Sequence, residues 1–157
     1  MAKSIEAILA EMGLRVRLLM SAKNAGKRIA GLSERETLLL ELVGTKKEMC
    51  ISEIAEFFGG VSSSTVSMTI TKLWRKRKLV NKTILPRNQR VTMVSLTDEG
   101  RRLLNAIKED QLMIYKTVSE SMRIAPEQDE ILKALLENSV HFFDDQLGLN
   151  RRNPHCK

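Results

Sequence analysis

Between residues 61 and 97 the chain carries eight basic side chains, Lys72, Arg75, Lys76, Arg77, Lys78, Lys82, Arg87 and Arg90, and no Asp or Glu. The rest of the chain holds 18 basic and 19 acidic residues, so the whole net charge of +7 arises in this one quarter of the sequence. A cluster of one sign is the footprint of a polyanion site; its bland alternative is a solvated charged face. Four hydroxyl residues, Ser62, Ser63, Ser64 and Thr65, open the same stretch. At a helix start, small hydroxyl side chains and free amides admit a phosphate at close range. Capping alone asks for one hydroxyl, not four.

Covalent chemistry finds no comparable footing. No nucleophile–base pair, carboxylate dyad in an apolar setting, Gly-rich phosphate loop or metal-ligand cluster is visible, so no enzyme and no cofactor is expected. Cys50 and Cys156 lie far apart with no CxxC pattern, and Cys50 has no partner cysteine nearby. With only His141 and His155 to add, ligands for zinc are too few, and no metal site is expected. His141 reads as a packed or interfacial histidine.

The elements that must position the basic stretch follow from periodicity and caps. Ile5, Ile8, Leu9, Met12, Val16, Leu19 and Met20 recur at three-and-four spacing, predicting an amphipathic first helix that runs down over the polar residues 23–31. Ser33 with Glu36 three positions on forms a capping box for a second helix, which Gly44 is expected to break. A third helix covers residues 51–58, with Cys50 at its cap position, and stops at Gly59-Gly60. A fourth begins at Ser62. Residues 80–85 and 91–96 are β-prone runs around Pro86-Arg87-Asn88-Gln89-Arg90, predicting a hairpin with a basic tip. Thr97 caps a long helix with stripe Leu103, Leu104, Ile107, Ile114 and Val118, and Pro126 opens the last one.

The two short helices joined by Gly59-Gly60 form a helix-turn-helix candidate. On the second of them Val66, Ile70 and Leu73 share an inward face. The opposite face presents Ser64, Met68, Thr71 and Arg75, flanked by Ser67 and Lys72, with no carboxylate to repel phosphate. Met68 and the threonine methyls suit thymine methyls; Lys72 and Arg75 suit phosphates or base edges. Arg87 and Arg90 flank the hairpin turn, from which they reach an adjacent minor groove or backbone.

Fold class is therefore mainly α with a small β-hairpin wing: a winged helix-turn-helix over residues 32–100, flanked by helical dimerisation regions at 1–31 and 101–150, with a flexible tail at 151–157. The terminal helices carry more apolar face than one small core can bury, and a homodimer accounts for it. Double-stranded DNA is the expected partner and sequence-specific transcription regulation the expected function. The alternative is a winged-helix protein-interaction module gripping an acidic partner. No apolar run reaches the roughly 18 residues of a membrane helix, and Glu6 and Glu11 interrupt any signal peptide, which points to a cytoplasmic protein.

Residues 32–104 resemble the MarR family of bacterial winged-helix regulators. The carrying segments are LSERETLLLELV, ISEIAEFFGGVSSSTVSMTITKLWRKRKLV and PRNQRVTMVSLTDEGRRLL, the SLTDEG element after the basic wing being the most specific. The resemblance implies a homodimer on palindromic operators, usually as a repressor, with Arg90 matching the wing arginine that enters the minor groove. Ser63, Ser64, Thr65 and Met68 match recognition-helix contact positions. Members of that family often bind a small amphipathic effector; Met12, Met20, Met113 and Met122 are candidate lining residues for one, although methionines at helical spacing are more often core. Cysteine-sensing members carry their cysteine in the first helix, where none stands here. Three departures stand out: Leu85 and Asn88 replace acidic residues near the wing tip, Met68 replaces an arginine, and the Gly after the recognition helix is missing. That helix is expected to end near Lys76, since a further turn would aim Arg77 at the core.

Overall fold

The computed structural model describes residues 2–24, 29–151 and 156. Among them, in chain order, are α1 Ile5–Asn24, α2 Glu34–Lys46, β1 Glu48–Cys50, α3 Ile51–Phe57, α4 Ser63–Arg75, β2 Val80–Leu85, β3 Asn88–Leu96, α5 Asp98–Ser121 and α6 Pro126–Leu147, with a single 3-10 turn at Ile29–Gly31. The architecture is the expected one, mainly helical with a small wing. Of the tail at 151–157, only Arg151 and Cys156 fall within the described residues.

Helices begin where the caps place them. The Ser33 hydroxyl accepts from the Glu36 amide at 3.3 Å, and the Glu36 carboxylate accepts from the Ser33 amide at 2.7 Å. Thr97 caps α5 by accepting from the Gly100 amide at 3.0 Å, and Pro126 occupies the first turn of α6. Gly44 does not break its helix: α2 continues to Lys46. A Cβ at Gly44 would run into the Leu104 side chain, so this glycine makes room for α5 rather than ending α2.

The sheet has three antiparallel strands in the order β1-β3-β2. The hairpin β2–β3 meets the sequence expectation; β1 is an addition to it. Its residues pair Glu48 with Ser95, Met49 with Val94 and Cys50 with Met93, carrying Met49 and Cys50 into the interior. The hairpin turn is shorter than the five-residue tip that the sequence suggests, with Pro86 and Arg87 alone between the strands. Register then shifts between Ile84, opposite Thr92, and Leu85, opposite Asn88. The extra residues on β3 form a bulge, which bends the wing and re-aims its side chains.

One core unites α2, α3, α4 and the sheet: Leu39, Leu40, Val43, Ile54, Ile70, Leu73, Val80 and Val94 are all within 1% of complete burial. Each such side chain contributes about 1.5–3 kcal/mol by leaving water. The α5 helix joins through Leu104, and Gly100 lets its first turn sit directly on the Leu79 carbonyl. By contrast α6 buries none of its residues.

Candidate nucleic-acid interface

The face of α4 is built by a clean division of its residues. Val66, Ile70 and Leu73 are buried at 2% or less, which fixes the helix on α3 and the sheet and turns the opposite side outward. Ser62 is the N-cap, its hydroxyl accepting from the Thr65 amide at 3.2 Å and lying 2.8 Å from the Thr65 hydroxyl. The Ser64 hydroxyl lies 3.0 Å from that of Ser62 as well, so three of the four hydroxyls join the cap, and Ser63 and Ser64 are exposed at the head of the helix. Met68 is 73% exposed, the most open apolar side chain of the helix. Ser67 and Thr71 are half-buried at its flanks, and Lys72 and Arg75 are exposed.

Contrary to the sequence expectation, the α4 face does meet a carboxylate. Glu36, from the head of α2, ion-pairs with Lys72 at 2.7 Å. Glu36 is itself nearly closed from solvent, at 4% exposure. Burial pushes its carboxyl up, but hydrogen bonds from the Lys72 ammonium and the Ser33 amide outweigh that and hold it below its ordinary value of about 4.5. Lys72 is thus anchored to the head of α2, with its charge partly answered. The pairing joins residues far apart in sequence, and only the packing of α2 on α4 reveals it.

A second joint ties α4 to the wing. Lys82 of β2 donates to the Thr71 hydroxyl at 3.2 Å and lies 5.1 Å from the centre of the Trp74 ring. The Arg75 guanidinium sits 5.2 Å from the same ring. Trp74, Thr71 and Lys82 therefore tie α4 to the wing.

The helix ends as expected, at Arg75 with Lys76 as C-cap. Arg77 turns away from the core and donates to the Ala30 carbonyl. Lys78 takes a left-handed φ of 55° where the missing glycine would stand. Arg87 lies in the wing turn and is exposed. Arg90, expected as a flank of that turn, stands instead on β3 within the bulge, exposed, its amide donating to the Asn88 side chain at 3.2 Å. All eleven predicted contact residues fall on α4, its N-cap or the wing, though Ser62, Ser64, Thr65, Thr71 and Lys72 also do structural work.

A cavity of about 950 Å³ opens between the head of α2 and α4, lined by Ser33, Glu36, Thr65, Met68, Lys72 and Arg75 among others. The four methionines named as candidate effector lining do not border it, and Met113 and Met122 are 59% and 43% exposed. The fold also brings together Cys50, Glu53 and Cys156, which sequence separation concealed. Cys50 does have a cysteine partner in space. Among the described residues, no helix is long and apolar enough to cross a membrane.

Comparison with known proteins agrees with this geometry, although no protein-family model matches the chain. The HTH-type transcriptional regulator MhqR of Bacillus subtilis is 29% identical over 130 residues, covering 81% of this chain and 79% of MhqR. Streptococcus pneumoniae FabT, solved in complex with DNA, superposes with a TM-score of 0.64 at 19% identity over 90% of this chain and 96% of FabT. A mutant of MarR from E. coli gives 0.57 at 12% identity, over 89% of this chain and 98% of its own. The fold is thus the MarR-type winged helix, and the sequence relative is a transcription regulator rather than an enzyme.

Proposed function

We propose that this MarR-type winged-helix protein acts as a homodimeric, sequence-specific DNA-binding repressor on a palindromic operator. The observation that carries the reading is the juxtaposition of an exposed, small-residue recognition face with wing arginines, inside the stretch that holds all the excess positive charge. Ser63 and Ser64 with the α4 amides take a phosphate. Met68 and Arg75 meet base edges in the major groove, and Arg90 enters the neighbouring minor groove from the bulge. Two α4 helices roughly 34 Å apart would read successive turns of one DNA face.

The second copy is supported by the apolar side chains that one chain leaves in water. Ile5, Ile8, Leu9 and Leu18 on α1, and Ile131, Leu135, Leu136, Phe142 and Phe143 on α6, are all more than half exposed. A small amphipathic effector that favours one lobe separation over another releases the operator by shifting that spacing.

Selection from random-sequence DNA pools at two salt concentrations, comparing wild type with Arg90→Ala, tests the reading. An inverted repeat enriched by wild type, lost with Arg90→Ala and weakened by salt is the expected result. Absence of DNA binding would refute it and bring forward the acidic-partner alternative.

A further inference from the structure

The reading face leaves one chemically capable corner unused. Cys50 and Cys156 are joined as a disulfide across 106 residues of sequence, with their Cα atoms 5.6 Å apart. The same corner holds the C-terminal segment by other contacts. The Lys46 ammonium donates to the Arg151 carbonyl at 2.8 Å and ion-pairs with Glu53, whose carboxylate also lies 3.6 Å from Cys156 Sγ. The Ser52 hydroxyl sits 3.1 Å from Cys50 Sγ. Cys50 and Glu53 are 1% and 5% exposed, so the corner is a built interior contact.

We propose that Cys50 and Cys156 are a reversible thiol–disulfide pair, a redox modification site that fastens the end of the C-terminal arm to the DNA-reading lobe. The oxidant class that suits it is a low-molecular-weight disulfide. Cys156 is half-buried and Cys50 is closed, so Cys156 reacts first. Its thiolate attacks RSSR, the S–S bond of RSSR breaks, and one RS⁻ leaves a Cys156–S–SR mixed disulfide. The Cys50 thiolate then attacks the Cys156 sulfur and expels the second RS⁻. Two protein thiols are oxidised, one RSSR is reduced, and the two thiol protons end on the two RS⁻ groups as RSH. A dithiol reverses both steps.

Cys50 ends β1 and caps α3, and α3 packs on α4. Closing the clip removes freedom of the lobe relative to the arm before DNA arrives, so the oxidised protein binds with less ordering left to do. This consequence rests on the DNA-binding reading; the redox pair does not. The same three side chains offer metal-ligand atoms within 4.8 Å of one another, but Glu53 is engaged by Lys46 and zinc wants a fourth donor.

The test uses the full chain equilibrated with oxidised or reduced glutathione, then denatured, alkylated with iodoacetamide and weighed. No label on the oxidised sample and two labels after dithiothreitol are expected. Two labels on the oxidised sample, from free thiols or from thiols released by a metal, would overturn the pair. For the regulatory consequence, affinity for the selected duplex is compared in both forms and in Cys156→Ser. Oxidation should tighten binding at least fivefold, and Cys156→Ser should not respond. Equal or weaker binding by the oxidised form would overturn the coupling. Loss of DNA binding in both forms would instead defeat the repressor reading, with the labelling still deciding the redox pair.

Discussion

The lobe formed by residues 32–104 and the last helix of the chain treat their apolar residues in opposite ways. In the lobe Leu39, Leu40, Ile54 and Ile70 are sealed at 1% exposure or less. On α6, Ile131, Leu135, Leu136, Phe142 and Phe143 stand 55–63% exposed. The lobe closes its core with residues of one chain, whereas α6 has an apolar face that one chain never covers. Stability of the lobe is therefore an internal property, whereas in the proposed homodimer the stability of the arms would belong to the pair.

The largest effect expected from that contrast is at Gly100. A Cβ there would strike the Leu79 backbone carbonyl, with no flexible side chain to give way. Gly100→Ala should cost about 3 kcal/mol or more in denaturant unfolding; a loss below about 1 kcal/mol would mean that α5 is not seated firmly on the lobe. Next comes the arm. Phe142→Ser with Phe143→Ser should raise the dimer dissociation constant roughly a hundredfold, about 2.7 kcal/mol, while helix content and the lobe's unfolding stay close to wild type. Sedimentation that shows the same association state for both proteins would remove the contrast.

Arg90→Ala should weaken operator binding by about 1–3 kcal/mol with no change in unfolding stability, as measured by fluorescence anisotropy and denaturation. Glu36 sharpens the lobe side further. Its folded value lies below the ordinary one, so its contribution is complete above about pH 4.5 and is lost as pH falls through the lowered folded value. Stability of wild type relative to Glu36→Gln should follow that course, and superimposable pH curves would count against the pair with Lys72. The smallest effect belongs to Lys78. Replacing it with glycine relieves the left-handed backbone and should gain about 0.5 kcal/mol, after the entropy glycine adds to the unfolded chain.

Features that act between neighbouring residues are legible in the amino-acid sequence itself. The Ser33–Glu36 box, the Ser62 and Thr97 caps and Pro126 each act within one helical turn, and they place four helix starts. The inward trio Val66, Ile70 and Leu73 follows from period alone. What escapes is long-range. Strand β1 has three residues and exists because β3 lies beside it; nothing in Glu48-Met49-Cys50 announces a strand. Gly44 looks like a breaker until Leu104 arrives against it. The Glu36–Lys72 pair, the Lys82 strut and the Cys50–Cys156 bond all join residues that only folding makes neighbours. In the candidate site, identity is therefore easier to read than availability: the eleven residues lie on the expected elements, but the cap and the ion pair already claim some of them.

The ring of Trp74 gives the molecule a use its other parts do not have. It is the chain's sole indole, held 37% exposed beneath two cations at the joint between recognition helix and wing. Any phosphate that draws Arg75 or Lys82 aside changes the electric field across that ring, and with it the colour and yield of its emission. On the proposed function the protein thus carries its own optical gauge of docking, at the joint between α4 and the wing.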